Sequence, residues 1–135
     1  KDFKKKIIFT NGVFDILHKG HIDLLKFSKK LGEKLIVGIN SDYSVKINKG
    51  NNRPYNSLSK RIKELKKIKL IDKIIIFNEK TPIKIIKKIK PDVIVKGNDY
   101  SFQNVIGSKY TNVILFKKKN QLSSTKLISN LNRLD

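Results

Sequence analysis

Cysteine, methionine, tryptophan and alanine are all absent from this 135-residue chain. Without cysteine there is no disulfide scaffold, no thiolate metal site and no cysteine nucleophile. No apolar run comes near the ~20 residues that a membrane-spanning helix requires. The basic opening KDFKKK leads into an apolar stretch too short for the core of a signal peptide. Neither a leader nor an anchor is therefore expected, no membrane partner is expected, and the expected location is the cytoplasm. Alanine has only G/C-rich codons, so its absence points to a strongly A/T-biased coding sequence.

Acidic residues are scarce as well: 11 against 31 basic ones, for a formal net charge of +20. Only Arg53, Arg61 and Arg133 are arginine, leaving 31 − 3 = 28 lysines. Lysine, isoleucine and asparagine share A/T-rich codons, so the same bias accounts for much of the charge. The lysines are also spread along the whole length. A nucleic-acid footprint concentrates them in a stripe among aromatics. Most of the charge therefore reads as solvated surface that helps draw in a small polyanion, and no nucleic-acid partner is expected. A basic nucleic-acid-binding module remains the reading from a different class, marked by tight duplex binding with a steep salt dependence.

What is present is a regular alternation of apolar runs. Strands are predicted at 7–9, 35–39, 73–77, 93–95 and 113–116, and helices at 21–31, 58–70 and 123–134. A further helix is expected to open at Thr81-Pro82, with Thr81 as N-cap and Pro82 at the first helical position, and to stop at Pro91. Residues 48–57 read as a mobile loop. Short continuous apolar strands alternating with helices imply parallel crossovers. The expected fold is a single α/β domain over residues 1–135, Rossmann-like, with a five-stranded parallel sheet and helices on both faces. Its ligands would bind beyond the carboxyl ends of the strands, where the winding reverses. The turn after the first strand, the segment after the fourth and the start of the last helix converge there.

The first of these turns carries both histidines of the chain, in His18-x-Gly20-His21 at a helix entrance. Histidines three apart share one side of a turn. A helix N-terminus adds free N–H groups and the positive end of the dipole, which suits anions. Gly20 lets a phosphate approach the backbone, and Gly12 permits the tight turn after the strand. A lone histidine there would pass for packing or surface; two at one entrance point to function. A zinc site lacks a third ligand, and neither GxGxxG nor a Walker A loop occurs.

With TNGVFDILHKGH, Lys49-Gly50, Arg53-Pro54 followed by Arg61, Ile71-Asp72, PDVIVKGNDY, Ile106-Gly107-Ser108 and Ser123-Ser124-Thr125, the chain resembles the cytidylyltransferase-like nucleotidyltransferases over nearly its whole length. Within them it is most similar to the adenylyltransferase domain of the bifunctional heptose 7-phosphate kinase/heptose 1-phosphate adenylyltransferases. The resemblance implies attack of a sugar 1-phosphate oxygen on the α-phosphorus of ATP, with Mg²⁺ held mainly by phosphates and water. It implies catalysis by His18, His21 and Lys49. The nucleotide would be bound by Thr10, Asn11, Gly12, Val13, Phe14, Gly20, Arg61, Lys96, Gly97, Asp99, Ser123, Ser124 and Thr125 together with the two histidines. Asp15, Lys46 and Lys49 would meet the acceptor. Asp42 reads as a cap on a helix after the second strand in preference to a ligand. The alternative within the family is CTP with glycerol 3-phosphate or a similar phosphorylated alcohol. A homodimer and a fused or separate sugar kinase are the protein partners compatible with it.

Overall fold

The computed structural model describes residues 6–97, 105–117 and 125–128. Its order is β1 (Ile7–Gly12), α1 (Lys19–Lys29), β2 (Lys34–Asn40), α2 (Asp42–Lys49), α3 (Leu58–Lys66), β3 (Lys73–Phe77), α4 (Ile83–Ile89), β4 (Val93–Gly97), β5 (Asn112–Phe116) and β6 (Thr125–Ile128). The sheet runs β3-β2-β1-β4-β5-β6. The first five strands are parallel, as expected; β6 lies antiparallel on β5, with Thr125 opposite Phe116. The winding reverses between β1 and β4, so the crevice predicted beyond the strand ends belongs there.

Alternation along each strand sorts the core into two layers. Ile8, Leu35, Val37, Ile39, Val93 and Val95 pack on one face with Leu25 of α1 and Leu65 of α3. Phe9, Ile36, Ile94, Val113 and Leu115 pack on the other with Ile86 of α4. Each apolar strand thus needs a helix on both sides. At Gly38 a side chain would meet the Phe9 ring, since a Cβ there would lie 2.8 Å from Cζ of Phe9.

Three local expectations are corrected. Residues 42–49 form a helix, α2, which runs into the stretch read as a loop from residue 48; polar composition hid its extent, since only Ser44 and Val45 are buried in it. Its N-cap is Ser41, whose hydroxyl accepts from the Ser44 amide at 3.0 Å, and Asp42 is the first helical residue. The helix α4 starts after Pro82, with no side-chain cap from Thr81. Finally, Thr125–Ile128 is a strand where a helix was expected. Four residues of Thr-Lys-Leu-Ile fit either period, and the open edge of β5 offers them a ladder.

Candidate active site

The β1–α1 junction folds around the two histidines. Phe14 takes a left-handed backbone (φ 52°) that turns the chain away from β1. His18 is the N-cap of α1, in extended conformation. Its Nδ1 accepts from the Gly20 amide at 3.1 Å, while Nδ1 of His21 accepts from the His18 amide at 3.3 Å. The reciprocal arrangement is a capping box built from imidazoles. With Nδ1 of each ring accepting, the neutral tautomer carries its hydrogen on Nε2. The ring centroids are 3.9 Å apart, and Phe14 meets His21 edge-on at 5.3 Å. Burial, and after it the nearby His18 charge, lower the His21 pKa to about 4. His21 is therefore a neutral Nε2–H donor at pH 7. Gly20 is needed because a Cβ there would sit 2.9 Å from Cε1 of His18.

A cleft of about 600 Å³ opens beside this entrance, lined by Asn11, Gly12, Val13, Phe14, Asp15 and His21, with Lys49, Arg53, Tyr55 and Lys96 among the other residues. His18 is exposed and is not among the lining residues; its place beside the cleft comes from its ring contact with His21. Lys96, from the carboxyl end of β4, donates to the Asn11 carbonyl at 2.7 Å and so ties β4 to the β1 turn. The cleft thus combines imidazole donors and cations near a helix N-terminus, a setting made for an anion.

Several residues expected to touch ligand instead hold the walls. Arg61 is 1% exposed. Its Nε donates to the Asn56 carbonyl, its Nη1 to the carbonyls of Val13 and Asn40, and its Nη2 to Asp42 at 2.6 Å. A guanidinium so engaged gathers three chain segments behind the cleft and leaves no fork for a phosphate. Asp15 accepts from the Tyr55 and Asn56 amides at 2.7 and 2.8 Å, one per carboxylate oxygen, which seats the 53–57 segment on the β1 turn. Thr10 is buried and donates to the Val95 carbonyl at 2.7 Å. Lys46 donates to the Arg53 carbonyl at 3.0 Å from within α2. Gly97 ends β4 outside the lining. Asp99, Ser123 and Ser124 lie outside the described residues, and Thr125 is described only as part of β6.

Sequence reasoning missed Arg53, Tyr55, Asn40, Asn48, Lys80, Thr81, Pro82 and Ile106, which complete the lining together with Ile16. For Arg53 a signal existed, since it is one of three arginines in a lysine-biased chain. For the β3–α4 loop there was none: it reaches the cleft because Ser44 and Asn48 of α2 donate to the carbonyls of Glu79 and Lys80. Among the described residues no cluster of three His, Cys, Asp or Glu could hold a metal, and no helix is long and apolar enough to cross a membrane.

The profile of the cytidylyltransferase-like family matches residues 9–130. The bifunctional protein HldE of Campylobacter fetus subsp. fetus (strain 82-40) is 51% identical over 106 residues, covering 78% of this chain and 23% of that protein. HldE of Campylobacter jejuni (strain RM1221) is 46% identical over 132 residues, covering 97% of this chain and 29% of that protein. The chain thus spans about a quarter of the length of these relatives. Among solved structures, a lipopolysaccharide core biosynthesis protein from Thermoplasma volcanium GSS1 superposes with a TM-score of 0.63 at 38% identity, covering 71% of this chain and 77% of that one. A pantoate-beta-alanine ligase from Francisella tularensis shares the fold at a TM-score of 0.60 and 20% identity, over 96% of this chain and 65% of that one. With a profile match across nearly the whole sequence, the chain belongs to the cytidylyltransferase-like family of nucleotidyltransferases.

Proposed function

We propose that this chain transfers AMP from ATP to the phosphate of D-glycero-D-manno-heptose 1-phosphate, giving ADP-heptose and pyrophosphate. The observation that carries the reading is the imidazole capping box. Two rings 3.9 Å apart have Nδ1 tied to backbone amides, which leaves both Nε2–H groups for an anion beside the cleft.

The acceptor phosphate oxygen forms a bond to the α-phosphorus as the bond to the bridging oxygen of pyrophosphate breaks. Negative charge grows on the non-bridging oxygens and the leaving oxygen. Donors already oriented toward that charge lower the barrier without reorganising. His21, neutral at working pH, donates without giving up a proton. His18, at the cleft edge, reaches the same phosphate from the outer side. Lys49 at the end of α2 and Lys96 at the end of β4 add positive charge from two directions.

The donor set also bears on Mg²⁺. The lining is cationic, and its carboxylate Asp15 already accepts two amides. Such a site fits a cation that arrives with the triphosphate and keeps phosphate and water ligands. Bound that way, Mg²⁺ neutralises triphosphate charge. Because the HldE relatives are named bifunctional and are more than three times as long, the same reading gives this chain the transferase part and leaves a sugar kinase, fused or separate, to supply the acceptor. ATP as donor accords with a cytoplasmic setting.

The test is a matrix of nucleoside triphosphates against phosphorylated acceptors with Mg²⁺, read as pyrophosphate release. ATP with heptose 1-phosphate should give the highest kcat/KM. Turnover of CTP with glycerol 3-phosphate instead would replace both substrates and keep the mechanism. No release from any pair would end it.

A further inference from the structure

Two of the three arginines lie in described residues, on the same β2–β3 connection, and they are used in opposite ways. Arg61 is sealed inside the protein with its donors on carbonyls and Asp42. Arg53 lines the cleft half-buried. Among the described residues its guanidinium meets neither a carboxylate nor a carbonyl; its contact is the ring of Tyr55, 4.5 Å from Cζ to the centroid. A cation set over a ring face keeps its N–H donors available to a ligand.

The backbone under this pair is held firmly. The Arg53 amide donates to the Gly50 carbonyl and the Arg53 carbonyl accepts from Lys46. One step on, Tyr55 and Asn56 are fastened to Asp15, three residues before His18. The fork is thus built into the same turn that presents the imidazoles.

Location says which phosphate it meets. In-line transfer puts the entering and leaving oxygens on opposite sides of the α-phosphorus. Lys96 comes from β4, on one side of β1 in the sheet; Arg53 comes from the connection beyond β2, on the other. We propose that Arg53, set over the Tyr55 ring, is the bidentate ligand of the acceptor phosphomonoester and thereby selects a phosphorylated acceptor over its dephosphorylated counterpart. The proposal rests on the nucleotidyl-transfer reading above.

The experiment compares wild type with Arg53→Ala and Arg53→Lys. At saturating ATP, Arg53→Ala should raise the acceptor KM by about 10–100-fold, the effect of losing hydrogen bonds to a charged group. The KM for ATP and the melting temperature should stay as in wild type. Arg53→Lys should recover only part of the loss, because an ammonium lacks the fork. Independently of turnover, calorimetric titration with heptose 1-phosphate and with inorganic phosphate should give binding to wild type that Arg53→Ala weakens at least tenfold. An unchanged acceptor KM, or an equal rise in the KM for ATP, overturns the assignment. If wild type releases no pyrophosphate from any pair, the transfer reading fails and the titration decides Arg53 alone: equal binding by wild type and Arg53→Ala overturns it.

Discussion

The inner wall of the cleft and its outer rim each carry an arginine among polar side chains, and put it to different uses. On the wall, Arg61, Asp15 and Thr10 are hydrogen-bonded within the protein, each of them to a partner more than forty positions away in sequence. On the rim, His18 and His21 are anchored by their Nδ1 edges and Arg53 lies over the Tyr55 ring, so each keeps other donors open. Burial explains the division. A buried charge is tolerated only when its hydrogen-bonding capacity is met inside the fold, so a fully buried arginine cannot also be a ligand. Half-exposed groups carry no such demand and remain available to substrate.

The sharpest way to break the contrast is at the rim. His18→Ala should lower the rate by ~10²–10⁴, as expected for loss of an oriented donor to the transition state. Its effect on stability should not exceed about 1 kcal/mol, from loss of the helix cap. Near-normal turnover in steady-state pyrophosphate release would end the mechanism. The wall should answer in reverse. Arg61→Ala leaves three carbonyls without their donor and should cost about 3–5 kcal/mol in urea unfolding. If that variant melts like wild type, wall and rim are not distinct.

Acid gives a finer test. The folded His21 pKa is about 4, well below its ordinary value. Between roughly pH 6.5 and 4 the unfolded chain binds a proton at this ring that the folded chain does not. Stability should therefore fall as pH drops through that window, and His21→Gln should flatten the fall. A histidine titrating near 6.5 by NMR in place of His21 would remove the effect. The smallest change expected is Thr10→Val, which removes one hydrogen bond between β1 and β4 and should cost about 1 kcal/mol in the same unfolding assay.

How much of this was legible in the sequence follows from the range of each interaction. The five parallel strands were legible because each is a short apolar run whose two faces are both buried. The imidazole pair was legible because its geometry needs only three residues of spacing. Arg61 was misread because its partners come from positions 13, 40, 42 and 56, and no local pattern announces that they converge. Arg53 stands within the Arg53-Pro54 motif but was given no role, because nothing local in the sequence shows that its guanidinium stacks on Tyr55 at the cleft. The helix α2 was hidden by burying only two residues, and β6 by being too short for its period to speak.

The same difference in range has a consequence for how the enzyme would fail under mild stress. The imidazoles are braced by neighbours within one helical turn, so they keep their poise as long as the start of α1 stays wound. The strap bearing Arg53 is pinned to Asp15 from forty positions away, and a pin of that span is lost whenever the strap peels off, an opening far smaller than global unfolding. Gentle warming should therefore loosen the grip on the proposed phosphorylated acceptor while the imidazoles still stand in place, so that the KM for the acceptor rises before the KM for the nucleotide does.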